Sequence, residues 1–234
     1  MLRFSPQGRW TTVESILVQQ RLQAVFEQWG LPDSIRFDNG KPWGQPTQRI
    51  PTCLALWLVG LGIQPIFGRP RQSTDNAVVE RSHGVLTPWV EPETCATWVE
   101  LQQRLDEFVH IQREVYPACA NGLSRLMTFP DLCVPRRPYR RQDDEQLWQL
   151  LLVYEYVAQL RCTRTVEKNG RITHFTAEYF VGRSYAAQQV TVYLNLDTGE
   201  WITEDRQGAI IKRFQAEQLN YLTIVNHEMV YRKG

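Results

Sequence analysis

Hydrophobic and polar positions follow a helical rhythm over the first part of this chain and an alternating one near its end. Val13, Ile16, Leu17, Leu22, Val25, Phe26 and Trp29 recur close to every 3.6 residues and predict an amphipathic helix. Thr11-Thr12-Val13-Glu14 fits a capping box at its start, and Gly30 stops it. Ser34 to Phe37 reads as a short strand ending in an Asp38-Asn39-Gly40 turn, and Lys41 to Pro51 as a Gly/Pro-bearing loop. The next stretch, about Thr52 to Leu61, is apolar nearly all round, which predicts a buried helix with Gly62 as its cap. Ile63 to Phe67 is another short strand, and Gly68 to Ser73 a loop, because Pro70 interrupts regular structure.

A helix carrying Glu80 follows, capped by Thr74 or Asp75 and bracketed at its end by Pro88 and Pro92. A further helix from about Glu93 to Glu114 sets Trp98, Leu101, Leu105 and Phe108 on one stripe. Strand, helix, strand, helix, helix is an α/β order, in which functional groups gather at strand ends. From Tyr116 to Asp144 periodicity disappears among Pro, Arg and small residues, as in an extended linker. A short helical stretch near Glu145 to Tyr156 precedes strands divided by turns at Asn169-Gly170, Asp197-Thr198-Gly199 and Gln207-Gly208. Val190, Val192, Leu194 and Leu196 alternate with other residues as in a half-buried strand. The turn spacing predicts a small β-barrel. The expected domains are therefore an α/β core over 1–116, a linker over 117–145, a barrel over 146–220 and a tail over 221–234.

Composition changes this picture little. With 234 residues, 43% of them hydrophobic and eight Trp, the chain has ample material for packed cores. Its five cysteines are widely spaced, with no Cys-x-x-Cys pair, and suggest reduced thiols in a cytoplasmic protein rather than a zinc module or disulfide framework. The N-terminus lacks the apolar core of a signal peptide, and the longest apolar run, Cys53 to Ile63, is too short to span a membrane. A net charge of +1 means that any affinity for DNA must come from local patches, of which Arg69-Pro70-Arg71 and Arg136-Arg137-Pro138-Tyr139-Arg140-Arg141 are the candidates.

Two carboxylates carry the candidate chemistry. Asp38 closes a strand and Glu80 stands in the first turns of a helix, an arrangement that can bring two acidic ligands to one divalent metal site. Each also has an ordinary reading: Asx-Gly turns are common after strands, and a Glu early in a helix is favoured by the dipole. Arg81 is a candidate phosphate contact or a solvated neighbour, and His83 shares the face of Glu80.

Taken in order, Phe37-Asp38-Asn39-Gly40, the apolar helix, Leu61-Gly62-Ile63, the proline loop and Asn76-Ala77-Val78-Val79-Glu80-Arg81 closely resemble a known pattern. The segment from about Leu31 to Leu86 is similar to the catalytic core of DDE-type integrases and transposases of bacterial insertion sequences, with Ala77 where the family motif usually has Gly. The resemblance implies a partial ribonuclease H-like integrase core, with Asp38 and Glu80 as the second and third acidic ligands of two Mg²⁺ or Mn²⁺ ions. One ion would activate water or a DNA 3′-hydroxyl, and the other would stabilise the leaving oxygen. Forty-one residues lie between the two acids, a few more than is typical, and the Lys41 to Pro51 loop can absorb the excess.

The family's first acidic ligand has no counterpart: Met1 to Val13 contain no Asp or Glu, and Asp33 sits at the wrong end of its strand. The expectation is a chain that begins inside the core, without the first core strands or the helix-turn-helix region. The stretch from about Trp148 to Phe214 is similar to the barrel that follows the core in transposases such as that of bacteriophage Mu. Implied partners are double-stranded DNA, as transposon ends and target, and further copies of the chain or a complementary transposase chain. DNA contacts are expected from Arg69, Arg71, Arg81, Arg136, Arg137, Arg140 and Arg141. The implied function is DNA integration by metal-dependent phosphodiester cleavage and strand transfer, with little activity in this polypeptide alone. The alternative is a non-catalytic DNA-binding or transposase-association protein.

Overall fold

The computed structural model describes residues 3–4, 10–11, 15–37, 43, 50–68, 77–175 and 177–227. In chain order these form β1 (Arg3–Phe4), β2 (Trp10–Thr11), α1 (Ser15–Trp29), β3 (Ser34–Phe37), α2 (Cys53–Gly60), β4 (Gln64–Phe67), α3 (Ala77–Val90), α4 (Trp98–His110), α5 (Arg125–Thr128), α6 (Asp144–Leu147), α7 (Leu150–Ala158), β5 (Cys162–Thr165), β6 (Arg171–His174), β7 (Ala177–Phe180), β8 (Gln189–Asn195), β9 (Glu200–Glu204), β10 (Ile210–Gln215) and α8 (Tyr221–Val225). This is a mixed α/β protein. It divides into two compact units, Met1–Phe67 with Tyr139–Gly234, and Gly68–Pro138. Those bounds differ from the expected core, linker and barrel.

In the first unit, β3 and β4 pair in parallel, from Ser34 opposite Gln64 to Phe37 opposite Phe67. A parallel pair needs a crossover, and α2 supplies it. Thr52 caps α2 by accepting a bond from the Ala55 amide, and all eight helical residues are buried, as an all-round apolar sequence requires. Gly62, at φ 69°, turns the chain out of the helix towards β4.

The same core continues into the C-terminal half. Phe26 of α1 lies 5.9 Å from the Trp57 ring of α2 and 5.9 Å, edge-on, from Tyr139. Asp144 is buried at the centre and accepts from Trp57 Nε1 at 3.0 Å, from the Tyr221 hydroxyl at 2.9 Å and from the Tyr139 hydroxyl. The segment expected to be an extended linker thus ends in a buried tyrosine and a buried carboxylate, because three donors from α2, the linker and α8 converge on one acceptor. Burial, and then the hydrogen bond to the Asp144 carboxylate, raise the Tyr139 hydroxyl well above the ordinary tyrosine range.

Strands β10, β9, β8 and β5 form an antiparallel sheet in that order, and β6 and β7 a separate hairpin. The turns at Thr198-Gly199 and Gln207-Gly208 join β8 to β9 and β9 to β10, as their glycines at φ 65° and 84° suit. The Asn169-Gly170 turn does not join paired strands: β6 pairs with β7 while β5 pairs with β8. Among the described residues these strands do not close into a barrel. Val190, Val192 and Leu194 are buried as expected, but Leu196 lies past the strand end and is exposed. Asn195 explains this, since its side-chain oxygen accepts the Asp197 and Thr198 amides and bends the chain there.

The second unit is helical. Thr97 caps α4 by accepting from the Glu100 amide, while the Glu100 carboxylate accepts from the Ala96 amide. Arg104 then ties α4 to the end of α3, donating to the Val90 carbonyl, Thr94 Oγ1 and Glu100. After His110 the helix widens into a π turn, Ile111–Val115, closed by the Tyr116 amide on the Ile111 carbonyl at 2.7 Å. The expected single helix from Glu93 to Glu114 is therefore a 3₁₀ turn at Pro92–Thr94, α4 and this π turn.

Candidate functional site

The site expected from the sequence has two carboxylates and seven arginines, which the fold treats differently. Asp38, Asn39, Arg69 and Arg71 lie outside the described residues. The strand leading to Asp38 is well anchored: Phe37 stacks on Trp43 with ring centroids 4.0 Å apart and meets Phe67 at 6.2 Å. The Thr52 hydroxyl donates to the Trp43 carbonyl at 3.0 Å, so the residue preceding Asp38 is held from two sides.

Glu80 lies in the first turn of α3, in the second unit, with an exposed side chain. Arg81 beside it is exposed too. Nothing of the His83 side chain is described. Of the remaining arginines, Arg136 is exposed and Arg137 half-buried in the second unit, whereas Arg140 and Arg141 are exposed in the first, where the Arg141 amide donates to Glu27 at 3.0 Å. The four thus straddle a boundary between units. Among the described residues no group of three or more His, Cys, Asp or Glu is placed to hold a metal ion.

One concave feature of the second unit was not legible in the sequence. Arg81 and Val85 of α3, Phe108 and Val109 of α4, Arg113 of the π turn and Arg125 of α5 line a cleft of about 400 Å³. Arg113 and Arg125 escaped sequence reasoning because neither sits in a basic run; only folding brings them to Arg81.

Compared with models of known protein families, the chain matches none. Among the described residues no helix is long and apolar enough to cross a membrane.

Proposed function

We propose that this protein acts on DNA in the manner of DDE-type integrases and transposases, with Asp38 and Glu80 as ligands of catalytic Mg²⁺ or Mn²⁺. On this reading β3, α2 and β4 are part of a ribonuclease H-like core, the C-terminal strands are related to the barrel of such enzymes, and the protein works on cytoplasmic DNA. The observation that carries the reading is the order of its parts: Phe37 ends one strand of a parallel pair immediately before Asp38, a buried helix crosses over, and Asn76 to Arg81 supplies the second acid on a helix. Carboxylates suit a hard divalent cation, and the ion would stabilise charge on the attacking and leaving oxygens. The chain's own share is to hold these two acids and to neutralise DNA phosphates with arginines such as Arg81, Arg136 and Arg140.

With two protein carboxylates a bound ion keeps more water and a looser geometry. Strand cleavage by this polypeptide is accordingly expected to be negligible unless a partner chain adds a third acid. Metal binding is the sharper test. Calorimetric titration with Mn²⁺ is expected to show weak binding that Asp38→Asn or Glu80→Gln abolishes, with thermal unfolding unchanged. Mn²⁺ binding indifferent to both substitutions would refute the assignment and favour a non-catalytic DNA-binding or transposase-association protein.

A further inference from the structure

The two outer edges of the sheet β10-β9-β8-β5 differ. At the β5 edge the Arg164 side chain donates through Nε to the Thr173 carbonyl of β6 at 3.1 Å. The β10 edge is open: β10 pairs with β9, and among the described residues no other backbone group bonds to Ile210–Gln215. Such an edge keeps a row of amide and carbonyl groups that another extended backbone can pair as a ladder. The bulge between Ile210 and Lys212 lies at the start of the strand and leaves Lys212 to Gln215 in unbroken register with Thr203 to Glu200. Ile210 is 50% exposed, the half-buried Phe214 ring lies 4.8 Å from that of Tyr179, and Lys212 and Arg213 are exposed. Arg213 reaches Glu200 at 3.7 Å, whereas Lys212 is in no ion pair among the described residues. The strand itself contains no acid.

These residues select the strand that can pair here. Two copies of β10 laid antiparallel about their centres would set Lys212 and Arg213 against the same two cations, and like charges across a ladder are destabilising. A DNA backbone offers acceptors to the cations but no donors to the edge carbonyls. An extended peptide supplies both, and two successive acids in it suit two successive cations, because neighbours along a strand point to opposite faces. Ile210 and Phe214, before and after the two cations, offer apolar contact to the residues that flank the acids. We propose that the open edge of β10 takes up an extended acidic segment of another protein as a fifth strand, one carboxylate meeting Lys212 and the next Arg213. The inference concerns the first unit alone and stands apart from the DNA reading.

The test measures, by fluorescence anisotropy, binding of the full chain to labelled peptides of about ten residues with Thr and Val around a central pair. One carries Asp-Glu at the centre, one Lys-Lys, and one Asp-Glu with each central backbone amide N-methylated. The Asp-Glu peptide is expected to bind about tenfold more tightly than the Lys-Lys peptide, because two cross-strand charge pairs change sign, and N-methylation should remove its binding by blocking the ladder. Lys212→Glu combined with Arg213→Glu should reverse the preference, with thermal unfolding near the parent temperature because both side chains are exposed. Equal binding of the Asp-Glu and Lys-Lys peptides by the parent chain, binding that survives N-methylation, or no binding up to about 0.5 mM protein overturns strand addition. A preference unmoved by the double substitution overturns it as well. Duplex DNA affinity lost in the double variant, with no peptide bound by the parent, would mark the edge as a DNA contact instead.

Discussion

Asp144 is a buried carboxylate on which three side-chain donors converge. It accepts from Trp57, Tyr139 and Tyr221, and of these donors Trp57 and Tyr139 are buried while Tyr221 is half-buried. Leaving buried donors unsatisfied costs about 1–3 kcal/mol each, with partial relaxation, so Asp144→Ala is expected to destabilise the first unit by roughly 3 kcal/mol in urea unfolding. Tyr221→Phe should cost only about 1 kcal/mol. His174 makes the opposite case of a buried group without bonds: it is 1% exposed, sits edge-on to Trp201 at 4.4 Å, and neither ring nitrogen has a partner among the described residues. Burial, with a smaller contribution from Arg164, pushes its pKa down to about 3. The folded state therefore binds the proton less well than the unfolded chain, whose His titrates near 6.5. Stability is whole above pH 6.5 and should fall by ~1.4 kcal/mol per pH unit as pH drops from there towards 3. His174→Phe is expected to flatten that acid limb in urea titrations between pH 6.5 and 4; an unchanged limb would show that His174 is not its source.

At the scale of elements, legibility followed locality. Helix α2 and strands β3 and β4 could be read because an unbroken apolar run, its Thr52 cap and Gly62 are all local signals. Helix α1 was found, but its buried face holds Gln19, Gln23 and Phe26, while Ile16, Val25 and Trp29 are exposed. Periodicity reports that a helix exists more reliably than which face is covered, since Gln19 is placed by a tertiary bond to His227 at 2.8 Å. Asp144 was hidden in an Asp143-Asp144-Glu145 run, and two of its partners are 77 and 87 residues away. The junction of α2 with the C-terminal half was equally non-local. The Gln149 amide donates to the Gly60 carbonyl at 2.8 Å, and a Cβ on Gly60 would come within 1.9 Å of Trp148 Nε1. Gly60→Ala gains up to ~1 kcal/mol of helix propensity, yet the clash with Trp148 should outweigh it and leave a net loss of about 1–3 kcal/mol in the urea midpoint. A neutral or stabilising outcome would mean that α2 and Trp148 do not pack as described.

For the whole molecule, the sequence order of strand, buried helix, strand and acidic helix was legible, but its division into units was not. Residues from both ends of the chain share one core around Trp57 and Asp144, while 68–138 form a unit of their own. The candidate site is legible chiefly as a motif. Asp38 lies outside the described residues, whereas the arginine-lined cleft near Glu80 is formed only by folding. The proposed action on DNA is tested by the affinity of the full chain for a blunt duplex across stepped salt concentrations, by fluorescence anisotropy. The expected result is a Kd on the order of micromolar at low salt, weakening with a log–log slope of roughly 3 to 5 as several arginines displace counterions, and a smaller slope when Arg136, Arg137, Arg140 and Arg141 are changed together to Gln. Absence of binding even at about 0.1 mM protein in low salt, or an affinity indifferent to salt, would contradict it.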